Sequence, residues 1–503
     1  MLVEILHKKR VLPRSVALWF CLLPFIVLLA PAVAVLVELW SDNWTQALAS
    51  TLASATLMLL PAALCMTVRG YLLLLLPVAP MAAVFAVYPT VFHQLPGQEA
   101  WFALFQTNAV ESYELATYFW QPVATIVLAT GLYAGIAFAI PHITISATLR
   151  KISLATILGL SPILLQANPS NVFPAGPLYQ VWQALGTSPN PTVAAELPSF
   201  VREPRPPDRE IFVFLIGESA RRHEFYELLP RTPSLLSRPN LVLYDAAISQ
   251  AGMTQFSVPL MLSGFASSVD EARPNALAIA RAAGLRVVWL NHNDAEAKFA
   301  QGADELIHVH RGRDLDLLPI IQRQLDVHRK LFLVVHTSGS HAPYTNRYAP
   351  HEEIFAVESG TGKSALRAAY GNSIAATHRF LDAVLSLLSN QDGHIFLWYA
   401  SDHGENLLDD ERGLRMHGFG ARIEYDVPLL FWANDAYVRA HPSGWAQLTA
   451  NRYMAVSTGD LLATFKQALG VVSDSDNGLM RPYRPYVRRV RFNSVILPYS
   501  SLY

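Results

Sequence analysis

Hydrophobic residues in the first third of the chain form long, nearly continuous runs. Five such runs lie at 16–39, 47–68, 71–92, 122–140 and 152–166. Because about 20 apolar residues are enough to cross a bilayer as a helix, this pattern predicts five transmembrane helices. The fifth run is the shortest and is interrupted by Pro162. A cleaved signal peptide is the alternative for the first run, but its length and the runs that follow favour a spanning helix.

The pattern changes after residue 208, where the apolar runs become shorter and polar turns bound each of them. These runs lie at 211–216, 241–244, 285–290, 331–335, 395–399 and 427–432. Short continuous apolar runs are typical of strands that are buried on both faces of a sheet. Helical patterns at 276–283 and 364–388 lie between them. This alternation predicts an α/β sandwich with a largely parallel sheet.

The composition agrees with a chain made of two different parts. Hydrophobic residues make up 52% and charged residues 15%, and the mean hydropathy is +0.26. We therefore expect a transmembrane domain at 1–168, a linker rich in Pro, Asn and Ser at 169–208, and a polar domain at 209–503. The net charge of −1 lacks the basic excess that a nucleic-acid-binding protein normally shows.

Basic residues in the short loops predict the orientation in the membrane. They occur before the first run, between the second and third runs and between the fourth and fifth runs, at Lys8, Lys9, Arg10, Arg14, Arg69, Arg150 and Lys151. The opposite loops, 41–45 and 93–121, contain neither Lys nor Arg. The N-terminus is therefore expected in the cytoplasm and the polar domain across the membrane, which in a bacterium is the periplasm. Aromatic residues in loop 93–121 indicate a segment at the membrane interface.

Polar side chains follow several of the predicted strands. Glu218, the segments 291–294 and 336–341, and the segment 402–405 each come directly after an apolar run. Because the carboxyl ends of parallel strands meet at one edge of a sheet, these residues are expected to form one site. Both cysteines, Cys21 and Cys65, lie in the apolar runs, so the polar domain can have neither a disulfide nor a thiolate metal site.

Two carboxylates and an imidazole, from Glu218, Asp402 and His403, form a donor set that suits a divalent metal such as zinc. A metal-bound hydroxyl could serve as a nucleophile, and the segment 249–260 offers Thr254 and Ser257, with Ser249 less well placed. Taken one by one, these residues also fit ordinary roles: a turn carboxylate, a solvated loop pair and a helix N-cap.

Five blocks in order make a stronger case together. They are G-E-S-A-R at 217–221, T-Q-F-S-V-P at 254–259, H-T-S-G-S-H-A-P-Y at 336–344, S-D-H-G-E at 401–405 and M-H-G at 416–418. This order resembles the bacterial phosphoethanolamine transferases of the alkaline-phosphatase/sulfatase superfamily, which include lipid A-modifying enzymes of polymyxin resistance. The resemblance implies a five-helix membrane domain in the inner membrane and a periplasmic, alkaline-phosphatase-like α/β/α catalytic domain.

The resemblance also implies roles for individual residues. The family's zinc ligands match Glu218, Thr254, Asp402 and His403, and its nucleophile matches Thr254. Histidines that bind the phosphoryl group or a second zinc match His341 and His417. Substrate-contacting positions match Lys298, Thr107 and Glu111. The remaining histidines at 292, 308, 310 and 336 match no ligand position and are expected to be structural, and Glu405 has no assigned role.

The implied reaction moves phosphoethanolamine from phosphatidylethanolamine, through a covalent threonine intermediate, to lipid A, a core sugar of lipopolysaccharide or a periplasmic glucan. We expect a zinc-dependent monomer that contacts the membrane and no nucleic acid. The missing disulfides, and Ala103 where the family has asparagine, leave the acceptor open.

Three other functions are compatible with parts of this pattern. A phosphoglycerol transferase of the lipoteichoic-acid synthase type would have the same layout. A sulfatase would need arginine after Ser257-Val-Pro-Leu, where Met261 stands. A membrane sensor with a degenerate domain would be expected to lack some of the ligands.

Overall fold

The computed structural model describes two compact units of the chain. One comprises 1–188 together with 410–414, and the other comprises 189–409 together with 415–503. The described residues are 14–40, 43–92, 94–106, 112, 116, 119–164, 167–186, 200–202, 206–264, 274–293, 297–357, 362–409, 411–471, 477–493 and 495–502.

The first unit is helical. Its helices are Arg14–Leu39, Trp44–Leu64, Val68–Leu74, Ala79–Phe92, Gln98–Gln106, Trp120–Ala139, Ala147–Leu164 and Ala175–Gly186. Within the described residues, three segments are long and apolar enough to span a membrane: Leu22–Leu39, Trp44–Leu64 and Trp120–Ala139. The helices Val68–Leu74 and Ala79–Phe92, bent by 67°, would make a fourth if they act as one broken span. The count of five transmembrane helices is therefore not confirmed, because the helix Ala147–Leu164 over the fifth run is not among these segments.

A proline explains the break in the third hydrophobic run. Pro77 lies between the two bent helices, where its missing N–H and fixed φ interrupt the helical hydrogen bonds. Two buried tyrosines donate to nearby backbone carbonyls: Tyr133 to Leu72 O at 2.9 Å and Tyr71 to Met58 O at 2.9 Å. Such bonds matter in an apolar surrounding, where an unpaired carbonyl is costly.

The segment assigned to a linker, 169–208, is partly helical. Ala175–Gly186 forms a helix, and just before it Phe173 N donates to the hydroxyl of Ser54 at 2.9 Å. Residues 187–199 and 203–205 lie outside the described part of the chain.

The second unit is built on a seven-stranded sheet, which confirms the predicted α/β fold. Its strands are β1 (Glu210–Gly217), β2 (Leu241–Tyr244), β3 (Arg286–Asn291), β4 (Glu305–His308), β5 (Lys330–His336), β6 (His394–Ser401) and β9 (Leu429–Ala433). They are arranged in the order β2-β9-β6-β1-β5-β3-β4. The five strands from β6 to β4 run parallel, whereas β9 is antiparallel to both β6 and β2. The six predicted strands all lie in this sheet. The seventh strand, β4, is a half-exposed edge strand that the hydrophobic pattern did not predict.

Helices and two small sheets complete this unit. The helices are Arg222–Leu228, Pro233–Leu236, Thr254–Ser263, Ala276–Ala282, Leu318–Val327, Lys363–Ser389, Asp435–Ala440, Pro442–Ala450 and Leu461–Ala468. The small antiparallel sheets pair β7 (Asn406–Leu407) with β8 (Arg415–Met416), and β10 (Arg489–Phe492) with β11 (Val495–Pro498).

The apolar strands are buried by helices on both sides of the sheet. On one side, Phe332 of β5 and Trp398 of β6 pack on Phe465 of the helix Leu461–Ala468, with ring centroids 4.6 and 5.2 Å apart. On the other side, Tyr399 stacks on Phe225 at 5.5 Å. Every residue of β1 is buried. The central strands are thereby held rigidly, and the loops that follow them start from fixed positions.

Candidate metal centre and nucleophile

The register of three parallel strands brings the predicted acidic residues together. Gly217 at the end of β1 pairs with Ser401 at the end of β6, and Ile216 pairs with His336 at the end of β5. Glu218 and Asp402 are the next residues on their strands, and Asp402 N donates to Gly217 O at 2.9 Å. The sheet edge that the sequence indicated is therefore where these two carboxylates meet.

The loop after β1 is folded tightly around these carboxylates. Ser219 has a positive φ of 57°, a left-handed conformation that turns the chain directly after Glu218. Its N–H donates to Asp402 Oδ1 at 3.1 Å, and its hydroxyl donates to Glu218 Oε1 at 2.9 Å. His403 N also donates to Asp402 Oδ1, at 2.7 Å. These bonds fix Glu218 Oε1 and Asp402 Oδ1. The second oxygen of each carboxylate, Glu218 Oε2 and Asp402 Oδ2, is left for other partners.

Glu218, Asp402 and His403 form a compact and fully buried group. Each offers one ligand atom, and these three atoms lie within 4.8 Å of one another. His403 Nε2 is 3.3 Å from Glu218 Oε1 and 3.4 Å from Asp402 Oδ2. Its other ring nitrogen, Nδ1, is 2.8 Å from the carbonyl of Gly404. If Nδ1 carries the proton, it donates to that carbonyl and Nε2 has a free lone pair.

The hydroxyl of Thr254 reaches the same point from a different element. Thr254 is the first residue of the helix Thr254–Ser263 and is 6% exposed. Its Oγ1 lies 3.2 Å from Glu218 Oε2 and 3.2 Å from His403 Nε2. The site therefore combines two carboxylates, one imidazole and one hydroxyl, and that hydroxyl stands at the positive end of a helix.

Burial and mutual repulsion make this group electrostatically strained. Burial, and then the charge of Glu218, raise the pKa of Asp402 well above its usual range. Burial acts on the pKa of Glu218 in the same direction, but the neighbouring imidazoles of His336 and His403 hold that pKa well below its usual range. Although burial lowers the pKa of His403, the charges of Asp402 and Glu218 raise it to about 10. Two carboxylates this close need positive charge between them.

The donor set fits a divalent cation. Asp402 Oδ2 is completely buried, and no residue in the described part of the chain donates a hydrogen bond to it. A buried carboxyl oxygen without a donor is costly, and a metal ion would supply the missing partner. Two carboxylates, an imidazole nitrogen and a hydroxyl are ligands that zinc accepts in proteins.

Two residues beside Glu218 hold it in place. Asn293, in the loop after β3, donates from Nδ2 to Glu218 Oε2 at 2.6 Å. His336, at the end of β5, has its Nε2 3.8 Å from the same oxygen. His336 was expected to be structural, and Asn293 stood in a segment of interest without an assigned role; both support the Glu218 carboxylate.

His417 packs against the ring of His403. The two rings are 3.9 Å apart between centroids, and the ring of His341 is 6.3 Å from that of His417. Glu405 Oε2 lies 3.2 Å from His417 Nδ1. Burial raises the pKa of Glu405 to about 7, while burial and the positive charge of His403 keep the pKa of His417 well below its usual range. Glu405, which had no role in the sequence interpretation, is thus the partner of His417.

The other candidate hydroxyls are turned to different partners. The hydroxyl of Ser249 lies within hydrogen-bond distance of the carbonyls of Asp402 and Ala251, the latter at 2.9 Å. The hydroxyl of Ser257 lies 3.4 Å from the backbone carbonyl of Thr254. Thr254 is therefore the hydroxyl of this segment that contacts the candidate metal-binding group.

Three further positions were predicted to contact the substrate. Lys298 lies in the short 3-10 helix Ala297–Ala300, which follows the loop that carries Asn293. Thr107 and Glu111 lie outside the described residues.

The other histidines expected to be structural have different neighbours. His292 Nδ1 is 2.7 Å from Asp314 Oδ1, which also accepts from Ser338 N at 2.9 Å. His308 and His310 stack on each other at 5.4 Å.

Two supporting carboxylates were missed by sequence reasoning. Asp314 joins the loops after β3 and β5 through the bonds just given. Glu424, completely buried, accepts hydrogen bonds from the backbone N–H groups of Gly418, Phe419 and Gly420. Asp314 stands 22 and 24 residues along the chain from His292 and Ser338, so no local pattern indicates its role. Glu424 is only four to six residues from the N–H groups that it binds, and there the glycine-rich segment 418–420 gave a local signal of close backbone packing.

Comparison with known proteins identifies the fold. The family model described as Sulfatase matches residues 210–471. The chain is 30% identical over 304 residues to the phosphoethanolamine transferase EptA of Helicobacter pylori. This alignment covers 54% of the chain and 55% of the relative, so the chain spans about half the length of that relative. The predicted resemblance to phosphoethanolamine transferases is confirmed.

Two solved structures share the fold. The integral membrane lipooligosaccharide phosphoethanolamine transferase A (EptA) from Neisseria meningitidis has a TM-score of 0.72 at 20% identity, and the match covers 92% of this chain and 97% of that one. The C-terminal periplasmic domain of EptC from Escherichia coli, in a complex with Zn, has a TM-score of 0.56 at 20% identity and covers 62% and 98%. At these identities the likeness shows the fold, which extends over both units of the chain.

Proposed function

This chain belongs to the sulfatase family, and we propose that it is a zinc-dependent phosphoethanolamine transferase. The observation that carries the proposal is the position of the Thr254 hydroxyl. It lies 3.2 Å from both Glu218 and His403, beside a buried carboxylate oxygen of Asp402 that lacks a donor. The similarity to the phosphoethanolamine transferase of Helicobacter pylori supports phosphoethanolamine as the transferred group.

Glu218, Asp402, His403 and Thr254 would hold the zinc ion. When bound, zinc stabilises the negative charge that develops on the hydroxyl oxygen and on the phosphoryl group. The Zn complex of the Escherichia coli EptC domain, which shares this fold, supports zinc as the metal.

In the first half of the reaction, Thr254 Oγ1 attacks the phosphorus of phosphatidylethanolamine. The new Oγ1–phosphorus bond forms while the bond from phosphorus to the diacylglycerol oxygen breaks, and this oxygen takes up a proton. Glu218 and His403 are both within reach of the hydroxyl proton of Thr254. Because Thr254 begins a helix, the backbone N–H groups of that first turn can meet phosphoryl oxygens.

In the second half, an oxygen of the acceptor attacks the same phosphorus. Thr254 Oγ1 leaves and regains a proton, while the acceptor oxygen loses one. The pair formed by Glu405 and His417, 3.2 Å apart, is suited to hold and pass this proton. His341, next to His417, would orient the phosphoryl oxygens.

The substrates and the setting follow from the same proposal. The donor is phosphatidylethanolamine, and Lys298, Thr107 and Glu111 would contact its head group. The acceptor is lipid A, a core sugar of lipopolysaccharide or a periplasmic glucan. The first helices would anchor the enzyme as a monomer in the inner membrane, with a cytoplasmic N-terminus and the catalytic domain in the periplasm, as the basic loops predict.

Two alternatives have less support. A phosphoglycerol transferase would use the same threonine and metal but would leave a phosphoglycerol group on Thr254. A sulfatase would need a residue converted to formylglycine, and the segment from Ser257 lacks the arginine of that motif.

The test is mass spectrometry of lipids, glycans and the intact enzyme. Cells that produce the parent chain should contain a lipopolysaccharide or glucan species with added phosphoethanolamine, and Thr254→Ala should remove it. The matched control is Ser257→Ala, which deletes a buried hydroxyl one turn further along the same helix and should leave the product in place. The mass of the adduct on Thr254 separates phosphoethanolamine from phosphoglycerol. If no such species depends on Thr254, the proposal fails.

A further inference from the structure

Glu424 belongs neither to the metal-binding group nor to the reaction steps above, and yet it is completely buried. It ends a short 3-10 helix, Arg422–Glu424, which precedes β9. Burying a carboxylate is expensive unless several donors surround it. The partners of Glu424 therefore indicate what it does.

The carboxylate of Glu424 is wrapped by the loop that carries His417. Gly418 N and Gly420 N each donate to Oε2 at 3.1 Å, and Phe419 N lies 3.1 Å from both oxygens. These are the three residues directly after His417. The side chain of Asn406 also donates to Oε1 and, at 2.7 Å, to the carbonyl of Met416. The position of His417 is thus set from both sides by groups bound to one carboxylate.

The same residue touches two other loops of the site. The backbone carbonyl of Glu424 accepts from Gly404 N at 2.6 Å, directly after the ligand His403. A Cβ on Gly252, two residues before Thr254, would lie 2.9 Å from Glu424 Oε2. Glu424 therefore lies where the loops of the nucleophile, of the ligand His403 and of His417 come together.

We propose that Glu424 is a positioning residue that holds His417 against the ring of His403. The inference rests on the proposed function, in which His417 handles the proton and the phosphoryl group. A carboxylate has two acceptor oxygens and no donor, which suits three N–H groups that converge on it. Glutamine has the same shape but replaces one oxygen with NH₂, which cannot accept, so Glu424→Gln should release the loop 417–420.

The first experiment is a double-mutant cycle in the full-length enzyme. Glu424→Gln should lower kcat roughly tenfold to a hundredfold, as expected when a catalytic group is displaced by about 1 Å. Zinc affinity should be unchanged, because the backbone bond to Gly404 does not involve the side chain. The variant that combines Glu424→Gln with His417→Ala should be no slower than His417→Ala alone. If the two effects multiply instead, Glu424 does not act through His417 and the inference is wrong.

Asp460 offers a matched control. It is another buried carboxylate, and it accepts hydrogen bonds from Ser457 N, Tyr483 and Tyr486. None of these three partners belongs to the loop 417–420 or to the candidate site. The effect of Asp460→Asn on kcat, whatever its size, should multiply with that of His417→Ala. A cycle that shows the same non-additivity for both carboxylates would contradict a specific role for Glu424.

A second measurement does not depend on transfer activity, so it separates this inference from the proposed function. Diethyl pyrocarbonate modifies accessible histidines, and mass spectrometry can follow each site. The His417 side chain is 14% exposed in the structure. Its modification should become several times faster in Glu424→Gln, while that of the fully buried His336 stays slow. Asn406→Ala keeps the Glu424 carboxylate and removes one of its donors. It should raise the modification rate of His417 by a smaller factor, and it replaces Glu424→Gln in this test if that variant does not fold. Unchanged reactivity of His417 in both variants would overturn the inference even if the transferase reaction is shown.

Discussion

The main chain of Gly339 packs directly against the main chain of Glu218. A Cβ placed on Gly339 would lie 2.7 Å from both the nitrogen and the carbonyl oxygen of Glu218. Gly339 also has a φ of +46°, in the left-handed region that favours glycine. The neighbouring Ser340 N donates to Glu218 O at 2.8 Å. The loop after β5 therefore supports the candidate metal ligand Glu218 through its backbone, which requires a residue without a side chain.

Gly339→Ala should consequently damage the site more than the fold. The left-handed φ should cost about 1 kcal/mol, and the new methyl group must push the backbone of Glu218 aside. Zinc affinity, measured by competition with a chelator, should fall about tenfold or more, as it does when groups that orient ligands are lost. Gly284→Ala is the matched control, since Gly284 has a φ of +80° and a Cβ there would meet nothing within 4 Å. Gly284→Ala should lose a similar amount of stability and keep the zinc affinity of the parent. If Gly339→Ala and Gly284→Ala bind zinc equally well, the expectation is wrong.

Asp402→Asn should affect the metal-free and zinc-bound proteins in opposite ways. Without metal, the variant removes one of two buried carboxylates that repel each other, so its Tm should equal or exceed that of the parent. With zinc, the parent should gain stability by mass action while the variant gains little. Thermal unfolding with and without added zinc measures both effects. A parent that is insensitive to zinc, or a variant that responds as strongly as the parent, would count against the metal site.

The sequence predicted the residues of the candidate metal site, but it did not predict the residues that hold them in position. Glu218, Asp402 and His403 could be placed together because they follow parallel strands, and a strand's burial pattern is visible in the sequence. The contacts of Asn293 with Glu218 and of Asn406 with Glu424 depend on loop conformations that bring distant segments together, and no local periodicity encodes these. Gly339 illustrates the same limit, since a glycine in a sequence does not show which backbone lies against it.

The membrane half shows where hydrophobicity alone is insufficient. The run 71–92 was predicted as one helix, but Pro77 divides it into Val68–Leu74 and Ala79–Phe92, bent by 67°. A hydropathy average does not register the loss of one backbone donor, which decides the local geometry.

The orientation can be tested with single cysteines. With the native Cys21 and Cys65 replaced, His223→Cys would place a reactive thiol on the second unit, at a side chain that is 77% exposed. Ser146→Cys would mark the loop between the fourth and fifth hydrophobic runs, where the residue is also exposed. A membrane-impermeant maleimide applied to intact cells should label residue 223 and should label residue 146 only after lysis. If the helix Ala147–Leu164 does not span the membrane, both residues lie on the same side and label alike.

Asp460 should make stability depend on pH. Burial raises the pKa of Asp460 to about 6, despite hydrogen bonds from Ser457 N, Tyr483 and Tyr486 and the charge of Arg488, whereas an unfolded aspartate has a pKa of about 3.9. The folded state therefore binds the proton more tightly. The resulting stability is fully present below about pH 4 and is lost as the pH rises through about 6, a change of about 3 kcal/mol. Asp460→Asn removes this group, so the stability of the variant relative to the parent should rise between pH 4 and pH 7. Unfolding by denaturant at several pH values measures the difference, and two parallel pH profiles would show that the Asp460 carboxyl has no raised pKa.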